Sequence, residues 1–310
     1  MTVRNIRSID EYSFTQLMER FQKFKLPIFQ RVYSWEEDNW SEFFQTIIDL
    51  IEENKQEKGK NIHFIGSIIL QEKKENEVCD IIDGQQRLIT VFILLSVLFR
   101  KFSEKEGGLL PKEDFARQTI KDFCLLEKNK LRMELNNKLD QKSFEIITKH
   151  NLGYVSDEDY KREELKTRIA EAEKWFTKEI NSNNDLDYYA VYDQLLNRFH
   201  FSLVILGSDV KPWDLFMALN NTGLNLNVSD LLKSLLISKL GTDEEQERAS
   251  EKWDEEIVKK ICGSDNTKIN SLLPKFLLDF WWAEYGKMGD TKTKKGVSAS
   301  KSNLYSLYWK

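Results

Sequence analysis

The segment VCDIIDGQQRLITVFILLSVLF, residues 78–99, decides the fold. Charged residues separate two β-rich runs, 63–71 and 77–82, and this pattern predicts a hairpin of two strands. The second strand ends at Asp83-Gly84, and the almost wholly apolar run LITVFILLSVLF follows. That run has 12 residues, well short of the roughly 20 that span a bilayer. We therefore expect a strand, a tight glycine turn and a buried helix, and no membrane association.

Composition favours a mostly helical protein. The 310 residues are 41% hydrophobic and 31% charged, with only 4 prolines and 13 glycines, so long helices with one polar face are expected. The net charge of −5 excludes a wholly basic nucleic-acid binder and leaves room only for a local polyanion site. Three widely spaced cysteines without CxxC spacing argue against disulfides and zinc. Together with the lack of an apolar N-terminal signal, they predict a cytoplasmic location.

The rest of the chain extends this pattern to an α+β fold that is predominantly helical. The stretch FHFSLVIL, residues 199–206, is a strand among helices, and a lone strand needs partners. We expect it to join the N-terminal hairpin, so that residues 1–240 form one domain with a helical insertion at about 112–198. Residues 241–310 would then be a helical C-terminal region. Helices are predicted within 10–24, from a capping box at Ser34 and Glu37, and at 112–127, 139–150, 156–181, 212–219, 229–240, 243–261 and 268–285.

The turn between strand and helix, Asp83-Gly84-Gln85-Gln86-Arg87, is the strongest candidate site. A helix that begins directly after a glycine exposes unpaired backbone N–H groups, which bind anions and phosphates above all. Arg87, in a turn expected to face solvent, would hold a phosphate with two hydrogen bonds. Gln85 or Gln86 would orient a water. Asp83 would hold Mg²⁺ or act as a base. The alternative is a capping box, with Asp83 as the cap, Gln86 reaching back, and Arg87 paired to an acid elsewhere.

Two further segments offer groups that suit a nucleotide. In the extended segment before the second helix, Gln30 and Arg31 are polar, and Arg31 would clamp a phosphate. Tyr33 or Trp35 would stack on a base, although aromatics at alternating positions are more often core. In NNTG, residues 220–223, Asn220 either completes a nucleotide pocket or only satisfies a turn.

In this order, PIFQRVYSW (27–35), VCDIIDGQQRLITV (78–91) and LFMALNNTGLNLNVSDLLK (215–233) resemble the N-terminal domain of the GmrSD family of modification-dependent restriction endonucleases. The core of that domain resembles the ParB/sulfiredoxin fold. Ile89 stands where the family often has threonine. The resemblance implies a regulatory module that binds and hydrolyses a nucleoside triphosphate with Mg²⁺, senses modified DNA, and controls an HNH-type nuclease.

The resemblance also implies which residues form the nucleotide site. Gln30 and Arg31 belong to it, together with the turn at 83–87. On the combined reasoning, the candidate catalytic residues are Asp83, Gln86 and Arg87, with Asp83 also the metal ligand. The candidate nucleotide-binding residues are Gln30, Arg31, Tyr33, Gly84, Gln85 and Asn220.

The nuclease itself is not expected in these residues. The only histidines are His63, His150 and His200, and none lies in an HNH-like metal pattern. Between residues 287 and 310 the chain has six lysines against one aspartate, a local charge of +5. Lys292, Lys294, Lys295 and Lys301 are the candidate DNA contacts there. The apolar cluster at 302–309 suggests an effector domain in the same polypeptide or in a separate subunit.

Three functions remain open at this stage. The preferred one is a triphosphate-dependent control module of a restriction or anti-phage system. The alternative is a non-catalytic module that binds DNA phosphates or a modified backbone, and the third is a purely structural helical scaffold. Homo-oligomerisation is left open.

Overall fold

The computed structural model describes residues 6–28, 30–56, 61–74, 77–163, 165–183, 185–207, 233, 236–237, 239–263, 268, 272–277 and 279–280. The chain divides into two compact units, which are described separately. The first comprises residues 1–27 and 35–212, and the second comprises residues 28–34 and 213–310. The domain boundary expected at residue 240 stays a prediction. The helix expected at 212–219 lies outside the described residues.

The first unit contains a six-stranded sheet in the order β1-β8-β3-β4-β2-β7. β8 runs antiparallel to β1 and parallel to β3, while β3 and β4 form the predicted antiparallel hairpin. The two short strands β2 and β7 extend the sheet in parallel from β4. The strands are β1 (Ile6–Ser13), β2 (Lys23–Lys25), β3 (His63–Lys74), β4 (Val78–Asp83), β7 (Met133–Glu134) and β8 (Phe199–Leu206), and a separate small pair is β5 (Leu125–Leu126) with β6 (Lys130–Leu131).

Helices of the first unit surround one long buried helix. Every residue of α3 from Leu88 to Leu98 is buried, and this helix packs against α4, α5, α7 and α8. The helices are α1 (Phe14–Arg20), α2 (Glu37–Gln56), α3 (Gln85–Glu104), α4 (Pro111–Cys124), α5 (Lys138–Asn151), α6 (Asp157–Arg162), α7 (Arg168–Ser182) and α8 (Tyr188–Asp193), the last continuing as a π-helical turn, Gln194–Arg198. In the second unit, α9 (Asp243–Lys252) continues through a π-helical turn, Trp253–Val258, into α10 (Lys259–Cys262).

The α+β, predominantly helical fold class is confirmed. The hairpin, the glycine turn and the buried helix are confirmed as well. The strand FHFSLVIL has the predicted bounds, and it joins the sheet of the hairpin by pairing with β3. Among the described helices, none has both the length and the apolar character needed to cross a bilayer.

Three local predictions were wrong. The helix expected from Asp10 begins only at Phe14, because Ile6–Ser13 is a strand and Ser13 caps the helix in a box with Gln16. The second helix begins at Glu37, and it is the N–H of Glu36 that is held by the side chain of Asn39, at 3.1 Å.

The third error concerns the helix expected at 156–181. Ser156 is a cap as predicted, but of the six-residue α6 only. A second cap, Thr167, starts α7. The single predicted helix is therefore two helices with a break between them.

The position of β8 makes a prediction about the smallest folded piece. Because β8 lies between β1 and β3, a fragment of residues 1–110 would leave both of those strands without their shared neighbour. Exposed strand edges pair with other chains, so we expect this fragment to be insoluble. Expression followed by sedimentation and thermal melting checks it, and a soluble fragment that melts cooperatively would contradict the expectation.

Candidate functional site

The turn between β4 and α3 has a backbone that only glycine fits. Gly84 has φ +88°, in the left-handed region, where a side chain is strained. A Cβ at this position would also lie 2.9 Å from Cγ1 of Ile68. The tight approach of β3 to the turn therefore fixes both the residue type and the direction in which α3 leaves the sheet.

No side chain caps the start of α3. Gly84 is the N-cap residue, and the first bond within the helix runs from the N–H of Leu88 to the carbonyl of Gly84 at 3.1 Å. The capping-box interpretation, with Asp83 as the cap, is therefore wrong. The backbone N–H of Gln85 precedes that first bond, so it has no acceptor within the helix. This end of a 20-residue helix carries partial positive charge and favours an anion.

Gln85 brings an unsatisfied group to the same place. Its side chain is only 6% exposed, and its buried Oε1 has no hydrogen-bond partner among the described residues. An unpaired buried acceptor costs about 1–3 kcal/mol. A ligand donor, or a water held by a ligand, would remove that cost.

Gln86 connects the turn to the segment before α2. Its Oε1 accepts the backbone N–H of Trp35 at 3.3 Å. The indole of Trp35 is half-buried and packs on the ring of Phe43 at 5.8 Å. For Trp35 the sequence allows either base stacking or a place in the core, and the structure places its backbone at the start of α3.

Arg87 holds the neighbouring strand. Its Nη1 donates to the carbonyl of Ile65, and its Nη2 donates to the carbonyl of Ser67 at 2.6 Å. Gly66, between those two carbonyls, has φ +97°, and a Cβ there would lie 2.6 Å from Nη1. The pairing of β3 with β8 shifts register across this glycine. The guanidinium therefore stabilises a bulge in β3 with two hydrogen bonds.

The turn, expected to face solvent, does so less at Arg87 than at Asp83. The side chain of Arg87 is 21% exposed, and its nearest carboxylate is that of Asp83 in the same turn, 3.8 Å from Nη2. Burial lowers the pKa of Arg87 from its usual range, and the carboxylate of Asp83 opposes that shift. An arginine whose donors are used by backbone carbonyls fixes the geometry of the turn more directly than it binds a phosphate.

Asp83 is the accessible acid of the turn. Its side chain is 49% exposed. The described residues contain no group of three or more His, Cys, Asp or Glu side chains that could hold a metal. Mg²⁺ often binds to one or two carboxylates together with waters and substrate phosphates, and Asp83 suits that kind of site.

The other predicted site residues are in different parts of the chain. Gln30 and Tyr33 are 4% and 2% exposed, and Arg31 is half-buried. Each of the three interacts with another group, and all three belong to the second unit, whereas the turn at 83–87 belongs to the first. Asn220 and the four lysines proposed for DNA, Lys292, Lys294, Lys295 and Lys301, lie outside the described residues.

Residues 14–237 match a family model, the N-terminal domain of the GmrSD restriction endonuclease. This match covers more than half of the chain. The chain belongs to the GmrSD family. Membership places it in a restriction system, in which DNA and a nuclease are its partners. None of the curated proteins compared with the chain matches it.

Burial limits the reactivity of the thiols of Cys79 and Cys124. Cys79, Cys124 and Cys262 are buried and form no disulfide. Burial raises the pKa of Cys79 well above its usual value and that of Cys124 to about 12. Thiols of this kind stay protonated and are poor nucleophiles.

Proposed function

We propose that this GmrSD domain binds and hydrolyses a nucleoside triphosphate, and that it thereby couples the sensing of modified DNA to an HNH-type nuclease. One observation carries the proposal: three consecutive residues offer complementary groups that a ligand could engage. Asp83 offers a half-exposed carboxylate, and Gly84 begins the helix without a side-chain cap. Gln85 offers an amide oxygen that has no hydrogen-bond partner among the described residues. A triphosphate with Mg²⁺ complements each of them.

Each group has a role in the proposed chemistry. Backbone N–H groups at the start of α3 bind phosphate oxygens. Oε1 of Gln85 accepts a hydrogen bond from the attacking water and so orients it. Asp83 would hold Mg²⁺, which would neutralise charge that develops on the phosphates. Gln86 fixes Trp35 beside the turn, and Arg87 fixes the turn on β3, so both act by positioning.

The other candidate site residues remain proposals from the sequence alone. Gln30, Arg31, Tyr33 and Asn220 stay proposed nucleotide-binding residues, and the lysines at 292, 294, 295 and 301 stay proposed DNA contacts. The nuclease is proposed to act as a domain of the same polypeptide or as a separate subunit.

Asp83→Asn tests the proposed turnover. We expect phosphate release with Mg²⁺ and any of the four common triphosphates to fall at least about 100-fold, because the amide binds Mg²⁺ far more weakly than the carboxylate. Asp114→Asn is a matched control, since Asp114 is an exposed acid bonded to Arg117, three residues on. Equal rates in the two variants, measured with and without DNA, would contradict the assignment.

Gln85→Met separates a binding role from a structural one. The substitution removes a buried acceptor without a partner, so the unliganded protein should gain about 1 kcal/mol in its free energy of unfolding. If Gln85 serves the triphosphate, affinity should fall about tenfold at the same time. Urea denaturation and nucleotide titration check the two effects, and a stability gain with unchanged affinity and turnover would remove Gln85 from the site.

A second candidate, phosphate binding without turnover, is favoured by the contacts of Arg87. Because its guanidinium is bonded to the carbonyls of Ile65 and Ser67, Asp83 is left as the accessible charged side chain of the turn. Nucleotide or DNA binding without phosphate release under all conditions would support this candidate. In either case we expect no DNA cleavage by these 310 residues alone with Mg²⁺ or Mn²⁺, and cleavage in that assay would overturn the need for a separate nuclease.

A further inference from the structure

An open cleft lined by polar and charged side chains lies in the helical part of the first unit, where α6, α7 and the end of α3 meet. Its volume is about 640 Å³, and its lining includes Arg100, Tyr160, Glu173, Lys174, Thr177 and Lys178. Clefts of about 300–1,000 Å³ hold small-molecule ligands. Neither the family match nor the proposed nucleotide turn assigns a role to it.

The floor of the cleft is a buried carboxylate with spare acceptor capacity. Glu173 is 4% exposed. Its Oε2 accepts from the hydroxyl of Tyr160 at 3.2 Å, and its Oε1 accepts from the hydroxyl of Thr177 at 3.3 Å. A carboxylate has about four lone-pair sites, so at least one remains on each oxygen. The floor therefore favours a ligand that donates hydrogen bonds, such as a sugar hydroxyl.

Neighbouring side chains hold this floor in place. The ring of Tyr160 stacks on that of His150 with centroids 3.9 Å apart, and His150 contacts Asp157 at 2.7 Å. Arg100 donates to Glu104 at 2.6 Å and lies 3.5 Å from Asp157. Arg100 is thus engaged by acids and does not provide a free positive charge.

The rim of the cleft has the free positive charge. Lys174 and Lys178 are exposed, and within the described part of the chain neither has an ion pair. Lysines on neighbouring α5 differ, since Lys142 pairs with Glu163 and Lys149 with Glu145. Side chains four residues apart on a helix start about 5–6 Å from each other, a spacing that brackets a phosphate group.

We propose that this cleft binds a small phosphorylated sugar, such as a ribose phosphate or a ribonucleotide. The phosphate lies between Lys174 and Lys178, and a sugar hydroxyl donates to Glu173. Duplex DNA fits the cleft less well, because the hydroxyls of its internal sugars are esterified or absent and cannot donate to the carboxylate. The cleft is then a second ligand site, independent of the turn at 83–87.

The test is calorimetric titration of the whole chain with ribose 5-phosphate, inorganic phosphate and a short DNA duplex. The variant Lys174→Glu/Lys178→Glu should bind ribose 5-phosphate at least about tenfold more weakly. Lys55→Glu/Lys130→Glu is the matched control, since both lysines are exposed, have no ion pair among the described residues, and lie outside the cleft. Both variants leave residues 83–87 intact, so a loss confined to the first belongs to the cleft.

Glu173→Gln tests the sugar part of the proposal. It keeps an acceptor and the shape of the floor, but it adds an NH₂ donor where the sugar hydroxyl must donate. We expect the preference for ribose 5-phosphate over inorganic phosphate to disappear, with phosphate affinity unchanged. Thermal melting confirms folding, and Lys174→Gln/Lys178→Gln replaces the charge reversal if that variant melts early. Equal affinity in the cleft and control variants, or a loss that affects only the duplex, would overturn the proposal.

Discussion

Arg87→Ala is expected to lower the free energy of unfolding by about 3 kcal/mol. The side chain donates to the carbonyls of Ile65 and Ser67 on β3, and hydrogen bonds from charged groups contribute about 1.5–3 kcal/mol each. The half-exposed pair with Asp83, at 3.8 Å, adds little. Urea denaturation monitored by circular dichroism measures the change.

Nucleotide affinity should fall together with stability in this variant. The guanidinium connects the first turn of α3 to the bulge at Gly66, so its removal lets the proposed phosphate-binding turn shift relative to β3. Positioning errors of this kind cost orders of magnitude in binding and rate, and we expect at least a 100-fold loss of turnover. Arg117→Ala, which breaks only an exposed pair with Asp114, should change stability by less than about 0.5 kcal/mol. Lost affinity at unchanged stability would identify Arg87 as a direct phosphate ligand instead.

The centre of the fold was predictable because its signals are local. The strand, Gly84 and the apolar helix follow one another within residues 78–99, and a glycine between a strand and a helix supplies the left-handed backbone of a tight turn. The strand FHFSLVIL was predictable for a similar reason, since its apolar run is short and stands among helical patterns. The need for partners then placed it in the sheet of the hairpin.

β1 was missed because its partner is distant. Ser13 pairs with His200, so the stabilising neighbour of this strand lies almost two hundred residues further along the chain. Its sequence, IRSIDEYS, is polar enough for an edge strand and gives no strong strand pattern. One local signal was present, since Ser13 and Gln16 have the spacing of a capping box. A capping box there starts α1 at Phe14 and leaves the residues before Ser13 outside the helix.

The candidate site was predictable in its location and not in its contacts. The sequence shows that Arg87 is charged and follows a glycine turn. The carbonyls to which it donates, those of Ile65 and Ser67, lie about twenty residues earlier, in β3. The Oε1 atom of Gln85 is buried without a partner among the described residues, a tertiary feature that no local sequence pattern encodes. The contact of Trp35 with the site is also long-range in sequence, since its backbone N–H donates to Gln86.

Arg132 shows the same limit more clearly. Leu131, Met133 and Leu135 alternate with Arg132 and Glu134, and in a short strand this alternation puts the arginine on the face opposite to the apolar side chains. The structure buries it instead, at 7% exposure. Long-range carbonyl acceptors, invisible to periodicity, account for the difference.

Those acceptors predict that Arg132→Ala is the most destabilising substitution considered. The guanidinium donates to Met18 at 2.6 Å, Phe21 at 2.5 Å, Gln22 at 2.8 Å and Asp122 at 3.2 Å, all backbone carbonyls. The first three lie at or just after the end of α1, where carbonyls have no partner within the helix. Alanine removes every donor at once, and we expect a loss of about 4 kcal/mol in the free energy of unfolding.

The matched control for Arg132 is Arg20, at the same end of α1. Arg20 donates to the hydroxyl of Tyr12 at 2.6 Å, an acceptor that water can replace because Arg20 is only half-buried. Arg20→Ala should therefore cost about 1 kcal/mol. Urea denaturation of both variants measures the two losses in the free energy of unfolding. A loss for Arg132→Ala no larger than that for Arg20→Ala would mean that water satisfies the four carbonyls. In that case Arg132 would not hold α1 against the β6–β7 segment.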